Sequence, residues 1–360
     1  MRKFHLVRVS CLLLISFVPS LNFGQSAPSY PTKAGFLQDL ESARAGDREA
    51  KLRVARVYNE GRIVWRNGPE AAWWFQQASD EGSMEATAWL GALYLFGGGG
   101  VPQDILRANA LLQKAADADN PIGLRFMGAN YEAGIGTSKD TAKAVEFYSR
   151  AIAQNDPESH SRLGRMYRGG LGVPKDSGKA VELFTAGVRL GDQWSQLNLA
   201  QMYLEGFDPR ATFPTRSASA GESKKATKDY GKARELFAAS AAQGNRIAQY
   251  ELGKMYELGT GIGRNYDISF EYYKQSAMQR YVPAIIAVGK YHELGRGVAV
   301  NLLHAHVAYK QAIEYSNGRF GVNELQKLDS KLSPAEIQQA DDMLKKFNEA
   351  SEAAFARSLK

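Results

Sequence analysis

The histidines of this sequence are the first candidates for metal binding and for acid–base catalysis. His304 and His306 lie two residues apart on a predicted helix, and their side chains therefore point in different directions and cannot chelate one ion. His292-Glu293 lacks a second histidine at the spacing of a metalloprotease helix. We expect no metal site and no cofactor, and we interpret His292 as a packing residue.

Two glycine-rich runs superficially resemble phosphate-binding loops. Residues 259–263 follow no predicted strand, and residues 97–100 are not followed by lysine and a hydroxyl at P-loop spacing. Similar glycines recur in sister loops such as 134–139 and 170–175, where they are placed to end helices. The runs are therefore predicted to be structural.

The serines and the single cysteine give little support for nucleophilic catalysis. Cys11 falls in a predicted leader, Ser223-Lys224 in a predicted flexible insert, and Ser330-Lys331 in a predicted linker. None of these is a rigid setting suited to catalysis. We predict no catalytic residues and no enzyme. The alternative is a cell-wall-acting enzyme of penicillin-binding or hydrolase type, which would need a serine near a lysine, as in Ser-x-x-Lys.

A short apolar-Gly-x-x-Tyr signature organises the chain instead. Its glycine falls at Gly91, Gly128, Gly164 and Gly253, and the step from Gly91 to Gly128 is 37 residues, while that from Gly128 to Gly164 is 36. The second half of each copy repeats small and aromatic residues at helical spacing, so that they share one face of a helix. Periods of this length predict a solenoid of helix pairs.

The ends of the predicted helices carry their own signals. Asp104, Asp140 and Asp176 each stand just before a second helix, where a short acidic side chain accepts hydrogen bonds from free amides. Ser333 and Glu336 form the pattern of a capping box at the start of a final helix, with Pro334 in its first turn. Ile337, Met343, Leu344 and Phe347 are expected to form the packed side of that helix.

Residues 163–184, from Leu163-Gly164 and Tyr167 through Asp176 to Phe184, carry the pattern most fully. They resemble the Sel-one-like repeat (SLR) family, which is related to the tetratricopeptide repeat. The resemblance implies an all-α, right-handed alpha-alpha superhelical solenoid of about seven helix pairs with terminal capping helices. Departures are local: Ala55 and Ala200 replace the signature glycine and His292 replaces the tyrosine.

The start of the chain predicts export. Basic residues in the first eight positions precede an apolar run over residues 9–18, which is too short to span a bilayer, since spanning takes about 20 residues. We expect residues 1–26 to be a signal peptide and the protein to be periplasmic, with secretion as the alternative and without stable membrane insertion. Losing Arg2, Lys3 and Arg8 lowers the formal charge from +7 to +4, and no motif supports binding of nucleic acid.

Three parts follow the leader in the predicted domain plan. They are an N-terminal capping helix over 32–46, the repeat array over 47–318 with an insert over 207–228 in its fifth repeat, and a C-terminal capping region over 319–360. The insert is rich in basic, serine and proline residues, which is typical of a surface loop. It is either a tolerated insertion or a functional loop. Relatives by resemblance that are rich in cysteine have been linked to lactam chemistry, but this chain keeps no cysteine after the leader.

Partner binding is the function that the resemblance implies, because the first helices of tetratricopeptide-like arrays line a concave groove. The residue after each signature glycine and the residue three positions earlier lie on one helical face. These positions give the predicted partner-binding set: Arg53, Arg56, Trp89, Phe126, Arg162, Arg165, Lys254 and Lys290. Arginine beside aromatic rings suits acidic peptide segments or the sugar faces of cell-envelope polysaccharide. The sequence therefore predicts an exported, non-enzymatic scaffold or adaptor for protein partners.

Overall fold

The protein is all-α in the part that the structure describes. The structure, a computed structural model, describes residues 33–61, 64, 66–207 and 227–358, with side chains up to residue 350. The predicted signal peptide and nearly all of the predicted insert lie outside the described residues. Of the helices that are described, none combines the length and apolar character that crossing a membrane requires.

The chain divides into two compact units, and the first ends at Lys139. Its helices are α1 Lys33–Arg44, α2 Arg48–Glu60, α3 Gly68–Asp80, α4 Met84–Phe96, α5 Ile105–Asp117 and α6 Pro121–Ala133. Each helix contacts the next along the chain, and α4 also contacts α6. The predicted N-terminal capping helix is present as α1, which packs on α2.

The second unit begins at Asp140 and continues the alternation of first and second helices. Its helices are α7 Thr141–Ala153, α8 Pro157–Gly169, α9 Ser177–Arg189, α10 Gln193–Glu205, α11 Tyr230–Ala242, α12 Arg246–Leu258, α13 Tyr266–Met278, α14 Val282–Leu294, α15 Leu302–Tyr315, α16 Val322–Asp329 and α17 Pro334–Ser358. Neighbours pack in sequence up to α15, which contacts both α16 and α17. This stacking of helix pairs confirms the predicted solenoid class.

Helix boundaries lie where the caps predict them. Asp104 accepts a hydrogen bond from the amide of Arg107 at 3.0 Å, and Asp176 accepts one from the amide of Lys179 at 2.9 Å. The Asp140 carboxylate accepts amide hydrogen bonds in the same way. Gly134 and Gly170 end α6 and α8 in the left-handed conformation, which glycine adopts without a steric penalty. Acidic side chains therefore mark where these second helices begin, and glycine marks where the first helices end.

The signature glycine is a packing residue that lets the two helices of a pair approach closely. A Cβ built on Gly164 would lie 2.5 Å from the ring of Phe184 in α9, and one on Gly289 would lie 2.5 Å from the ring of Tyr309 in α15. Both rings are fully buried. The glycine of the first helix and the aromatic residue of the second helix therefore form one repeated contact, which explains why they recur together in the sequence.

The departures from the signature are accommodated by packing. Ala200 is buried in a cluster with Phe237 and Leu252, so the small side chain replaces glycine without opening the core. His292 packs edge-on against Phe270, with ring centroids 5.4 Å apart, and faces His304 at 5.1 Å. The interpretation of His292 as a packing substitute for tyrosine agrees with this geometry.

The C-terminal cap is partly as predicted. The Ser333 hydroxyl donates to Glu336 at 2.7 Å and accepts from its amide at 3.3 Å, which confirms the capping box of α17. Ala340 and Leu344 are the buried residues of this helix, whereas Phe347 is exposed, so its expected place on the packed side is wrong. The short helix α16 was not predicted, since it starts at Gly321 without any side-chain cap.

Candidate functional site

The predicted arginines of the first unit are held by ion pairs between neighbouring helices. Arg53 in α2 forks the carboxylate of Asp39 in α1, with Nη2–Oδ1 and Nε–Oδ2 distances of 2.6 and 3.1 Å. Arg56, one turn away, pairs with Glu85 in α4. The hydrogen bond to Asp39 raises the pKa of Arg53, whereas burial lowers that of Arg56. These arginines link helices, so a partner carboxylate would have to compete with Asp39 and Glu85.

The two predicted aromatic residues are core residues. Trp89 is 3% exposed and Phe126 is 5% exposed, and their rings meet edge to face at 6.2 Å. The expectation that they present open aromatic faces is wrong. The reason is that the first helix α4 has neighbours on several sides, α3, α5 and α6, which together cover most of its circumference.

Phe96 is the aromatic residue of this cluster that reaches the surface. Its ring lies 5.9 Å from that of Phe126, and its side chain is exposed at the C-terminal end of α4. Phe96 lies four residues after Ala92, the residue that follows the signature glycine Gly91, and therefore lies on the same helical face. Following that face one turn further would have found it.

In the second unit, the corresponding face of α8 carries an ion pair to the next first helix, α10. Arg165 is exposed and Arg162 is half-buried on α8. Arg168, a turn beyond, reaches α10, where it binds both carboxylate oxygens of Glu205 at 2.7 and 2.8 Å and lies 3.4 Å from Gln201. Gln201 and Glu205 follow their signature position by one and five residues. Positions one and five after the signature residue therefore face the surface shared by successive first helices.

The same two positions on α12 and α14 are Lys254 and Leu258, and Lys290 and Leu294, which we call the Lys–Leu ladder. Leu258 is 61% exposed and Leu294 is 54% exposed, although each belongs to a repeat helix whose other face is buried. Lys254 lies 3.0 Å from Glu251 on its own helix, and Lys290 lies 3.5 Å from Glu324. The lysines were predicted, whereas the leucines were missed because the face was not followed to the end of the helix.

Beside the ladder, a repeated network engages the acidic residues Glu257 and Glu293. The Tyr273 hydroxyl donates to Glu257 at 2.6 Å, and the Arg296 guanidinium of the next repeat lies 3.3 Å from the same carboxylate. The corresponding contacts of Glu293 are Tyr309 at 2.9 Å and Lys331 at 2.7 Å. Burial raises the pKa of both tyrosines, and their hydrogen bonds to glutamate raise it further. These glutamates are therefore committed to joining repeats.

Among the residues that the structure describes, no group of three or more His, Cys, Asp or Glu side chains is arranged to hold a metal ion. His306 is fully buried, with Nε2 3.1 Å from Asp329 and Nδ1 3.9 Å from Asp341. Burial is the largest effect on this imidazole and lowers its pKa, although both carboxylates act to raise it. His304 faces His292 instead, so His304 and His306 diverge as predicted.

The other residues considered for catalysis or phosphate binding make structural contacts where the structure describes them. The Ser330 hydroxyl donates to the carbonyl of Lys327 at 2.8 Å, while Lys331 binds Glu293. Gly259 ends α12 in the left-handed conformation, as the structural interpretation of residues 259–263 requires. Ser223-Lys224 lies outside the described residues. The Lys–Leu ladder repeats the same pair of residue types on two successive first helices.

Comparison with known proteins agrees with the geometry. The model of the Sel1 repeat matches residues 48–83, 85–120, 121–156, 157–192, 195–211, 220–245 and 246–281. The fifth and sixth stretches each reach into the predicted insert and leave residues 212–219 unmatched. Beyond them, α14 and α15 continue the pattern through the contact of Gly289 with Tyr309. A search of curated proteins gave no significant match.

Solved structures match the chain at low sequence identity. A Sel1 repeat protein from Oxalobacter formigenes is 23% identical with a TM-score of 0.56, covering 82% of this chain and 80% of that one. A protective antigen with an SLR fold from uropathogenic Escherichia coli is 22% identical with a TM-score of 0.32, covering 90% and 97%. An immunity protein from Pseudomonas aeruginosa is 21% identical with a TM-score of 0.47, covering 65% and 82%. The first of these likenesses supports a helical-repeat fold and carries no information on partners.

Proposed function

Because the chain belongs to the Sel1 repeat family, whose members generally act as protein-interaction scaffolds, we propose that it is an exported scaffold that docks segments of partner proteins on the first helices of its repeats. The observation that carries this proposal is the Lys–Leu ladder. Two successive first helices present the same pair of a cation and an exposed leucine in the same register. The predicted leader supports the exported address.

The ladder suits a segment that combines acidic and apolar residues. Leucine side chains gain free energy when a partner removes them from water, by about 25 cal/mol for each Å² of apolar surface. The lysines at 40% and 51% side-chain exposure attract carboxylates and orient the segment, an effect that salt screens. An acidic peptide segment is therefore a better fit here than a neutral sugar face.

The other predicted residues differ in how exposed they are to a partner. Arg165 is exposed on α8 and extends the basic character of the second unit. Arg53 and Arg56 are committed to ion pairs, and Trp89 and Phe126 support Phe96 from the core. In the first unit, Phe96 is therefore the side chain that we propose contacts a partner.

Photo-crosslinking in cells tests the proposal. A photoreactive amino acid placed at Leu258 or Leu294 is expected to capture the same partner protein, because both positions line one ladder. The matched control is Lys274 on the second helix α13, which is also exposed but lies outside the ladder. Capture of that partner from Lys274 with equal yield, or no capture from either leucine position, would contradict docking on the first helices.

A further inference from the structure

The turns that lead from a second helix into the next first helix follow a two-residue rule. The first residue of the rule is in the left-handed conformation and is Gly, Asn or Asp, and the next is an N-cap whose side chain accepts amide hydrogen bonds. Six turns obey it: Gly46-Asp47, Gly82-Ser83, Asp119-Asn120, Asn155-Asp156, Gly191-Asp192 and Gly244-Asn245. These residue types are the ones that tolerate such backbones and cap such helices.

The seventh turn, Arg280-Tyr281, breaks the rule at both positions. Arg280 has a φ of 57°, where its Cβ crowds the backbone, and Tyr281 makes no side-chain capping hydrogen bond to α14. Both replacements cost stability in the isolated chain. Positions where a sequence departs from a local rule that its other copies obey are expected to be functional sites.

The side chains of this turn are held in place by aromatic contacts. The Arg280 guanidinium lies 5.1 Å from the ring of Tyr315, and the Tyr281 ring meets Tyr250 edge to face at 5.4 Å. Arg246 lies 5.9 Å from the Tyr281 ring and donates to the carbonyl of Gln279. Fixed side chains lose little conformational entropy when a partner binds. We call Arg246, Tyr250, Arg280, Tyr281 and Tyr315 the Arg–Tyr turn.

The composition of this surface is that of an interface. Met278 is 78% exposed two residues before Arg280, so arginine, tyrosine and methionine lie together. These are the residue types enriched in the centres of protein interfaces. The nearby carboxylate of Glu251 is engaged with Lys254, and the side chain of Arg280 is exposed, so an arriving segment meets positive charge here.

We propose that the Arg–Tyr turn is a second docking site of this protein and binds an acidic segment of a partner protein. A carboxylate of that segment pairs with the planar fork of Arg280, while its apolar side chains lie on Met278 and the tyrosine rings. The inference rests on the proposed scaffold function only in taking the ligand to be a protein. It shares no residue with the Lys–Leu ladder, and the two adjoin where the Lys254 ammonium lies 5.6 Å from the Tyr250 ring.

The test uses the mature full-length chain and an array of 15-residue synthetic peptides in which half the positions are Asp or Glu and half are apolar. A second array with Lys and Arg in place of the acids is the ligand control. The double variant Arg280→Asn/Tyr281→Asp restores residue types that other turns use. Both proteins carry Leu258→Ser/Leu294→Ser, so that the Lys–Leu ladder does not bind the peptides. We expect the parent to select acidic peptides and the double variant to bind them at least tenfold more weakly, with Tm not lowered for Arg280→Asn alone.

A control variant measures how far an Arg-Tyr pair destabilises a different turn of the same kind. Gly244→Arg/Asn245→Tyr places Arg-Tyr in a turn that obeys the rule, and we expect it to lower Tm while leaving peptide affinity unchanged. Equal peptide affinity of parent and double variant, or preference for the basic array, overturns the proposal. So does a clear fall in Tm for Arg280→Asn, which would mean that the arginine is there for packing. If crosslinking from Leu258 and Leu294 still succeeds, the scaffold function stands without this second site.

Discussion

At the scale of single residues, the signature glycine decides whether two helices can pair. Gly164→Ala places a methyl group 2.5 Å from the Phe184 ring, and we expect a loss of about 1–3 kcal/mol in the free energy of unfolding. Gly169→Ala in the same helix is the matched control, because its Cβ would meet no atom closer than 3.4 Å and alanine favours helix. Urea unfolding of both variants is the measurement. An equal effect at the two positions would contradict the packing role of Gly164.

A second residue-scale prediction concerns pH and His292. Burial lowers the pKa of this imidazole, and the nearby His304 lowers it further. Above the unfolded-state pKa of about 6.5 both states are neutral and the shift has no effect. As the pH falls below 6.5, the unfolded state takes up the proton first, so stability is lost until the lower folded-state pKa is passed.

His292→Tyr restores the residue expected by the repeat pattern and removes this proton uptake. We expect the variant to gain stability relative to the parent between pH 7.5 and 5.5, as judged by thermal unfolding at each pH. The same stability difference at both pH values would show that His292 does not contribute to acid sensitivity.

Residue types alone predicted the exposure of the first helices only in part. Lys290 is exposed and Lys254 is half-buried, while Trp89 and Phe126 occupy equivalent faces and are buried. The difference arises from tertiary contacts, since how much of a first helix is covered depends on the neighbouring side chains. The same helical spacing, extended by one turn, identifies Leu258, Leu294 and Phe96.

At the scale of elements, caps make helix boundaries readable from the sequence. Asp residues before the second helices and glycine after the first helices were visible as residue types, and the observed helices begin or end there. Helix α16 was missed because Gly321 supplies no capping side chain and the helix has only 8 residues. Short elements that depend on packing leave little local signal.

The capping box of α17 gives an element-scale prediction. Ser333→Ala removes the hydroxyl that bonds both the carboxylate and the amide of Glu336, and we expect a loss of about 1 kcal/mol confined to the first turns of α17. Hydrogen exchange of the α17 amides measures this fraying. Ser330→Ala is the control, because its hydroxyl bonds only a carbonyl within α16. Unchanged exchange in Ser333→Ala would contradict the capping role.

At the scale of the whole molecule, the repeat period gave the fold class and the family confirmed it. Within each unit, buried aromatic residues and ion pairs join neighbouring helices. The sets that we propose for partner binding, the Lys–Leu ladder and the Arg–Tyr turn, both lie in the second unit. A scaffold of this kind gains binding sites by varying surface residues while the glycine–aromatic contact stays the same.

The most direct test of docking on the first helices is the affinity of the crosslinked partner for a ladder variant. Lys254→Glu/Leu294→Ser reverses one charge and removes one apolar anchor, and Lys274→Glu is the control with a charge reversal of equal size outside the ladder. Titration calorimetry at physiological salt, with helicity checked by circular dichroism, should show at least tenfold weaker binding for the ladder variant and unchanged binding for the control. Unchanged affinity in a fully folded ladder variant would contradict the account.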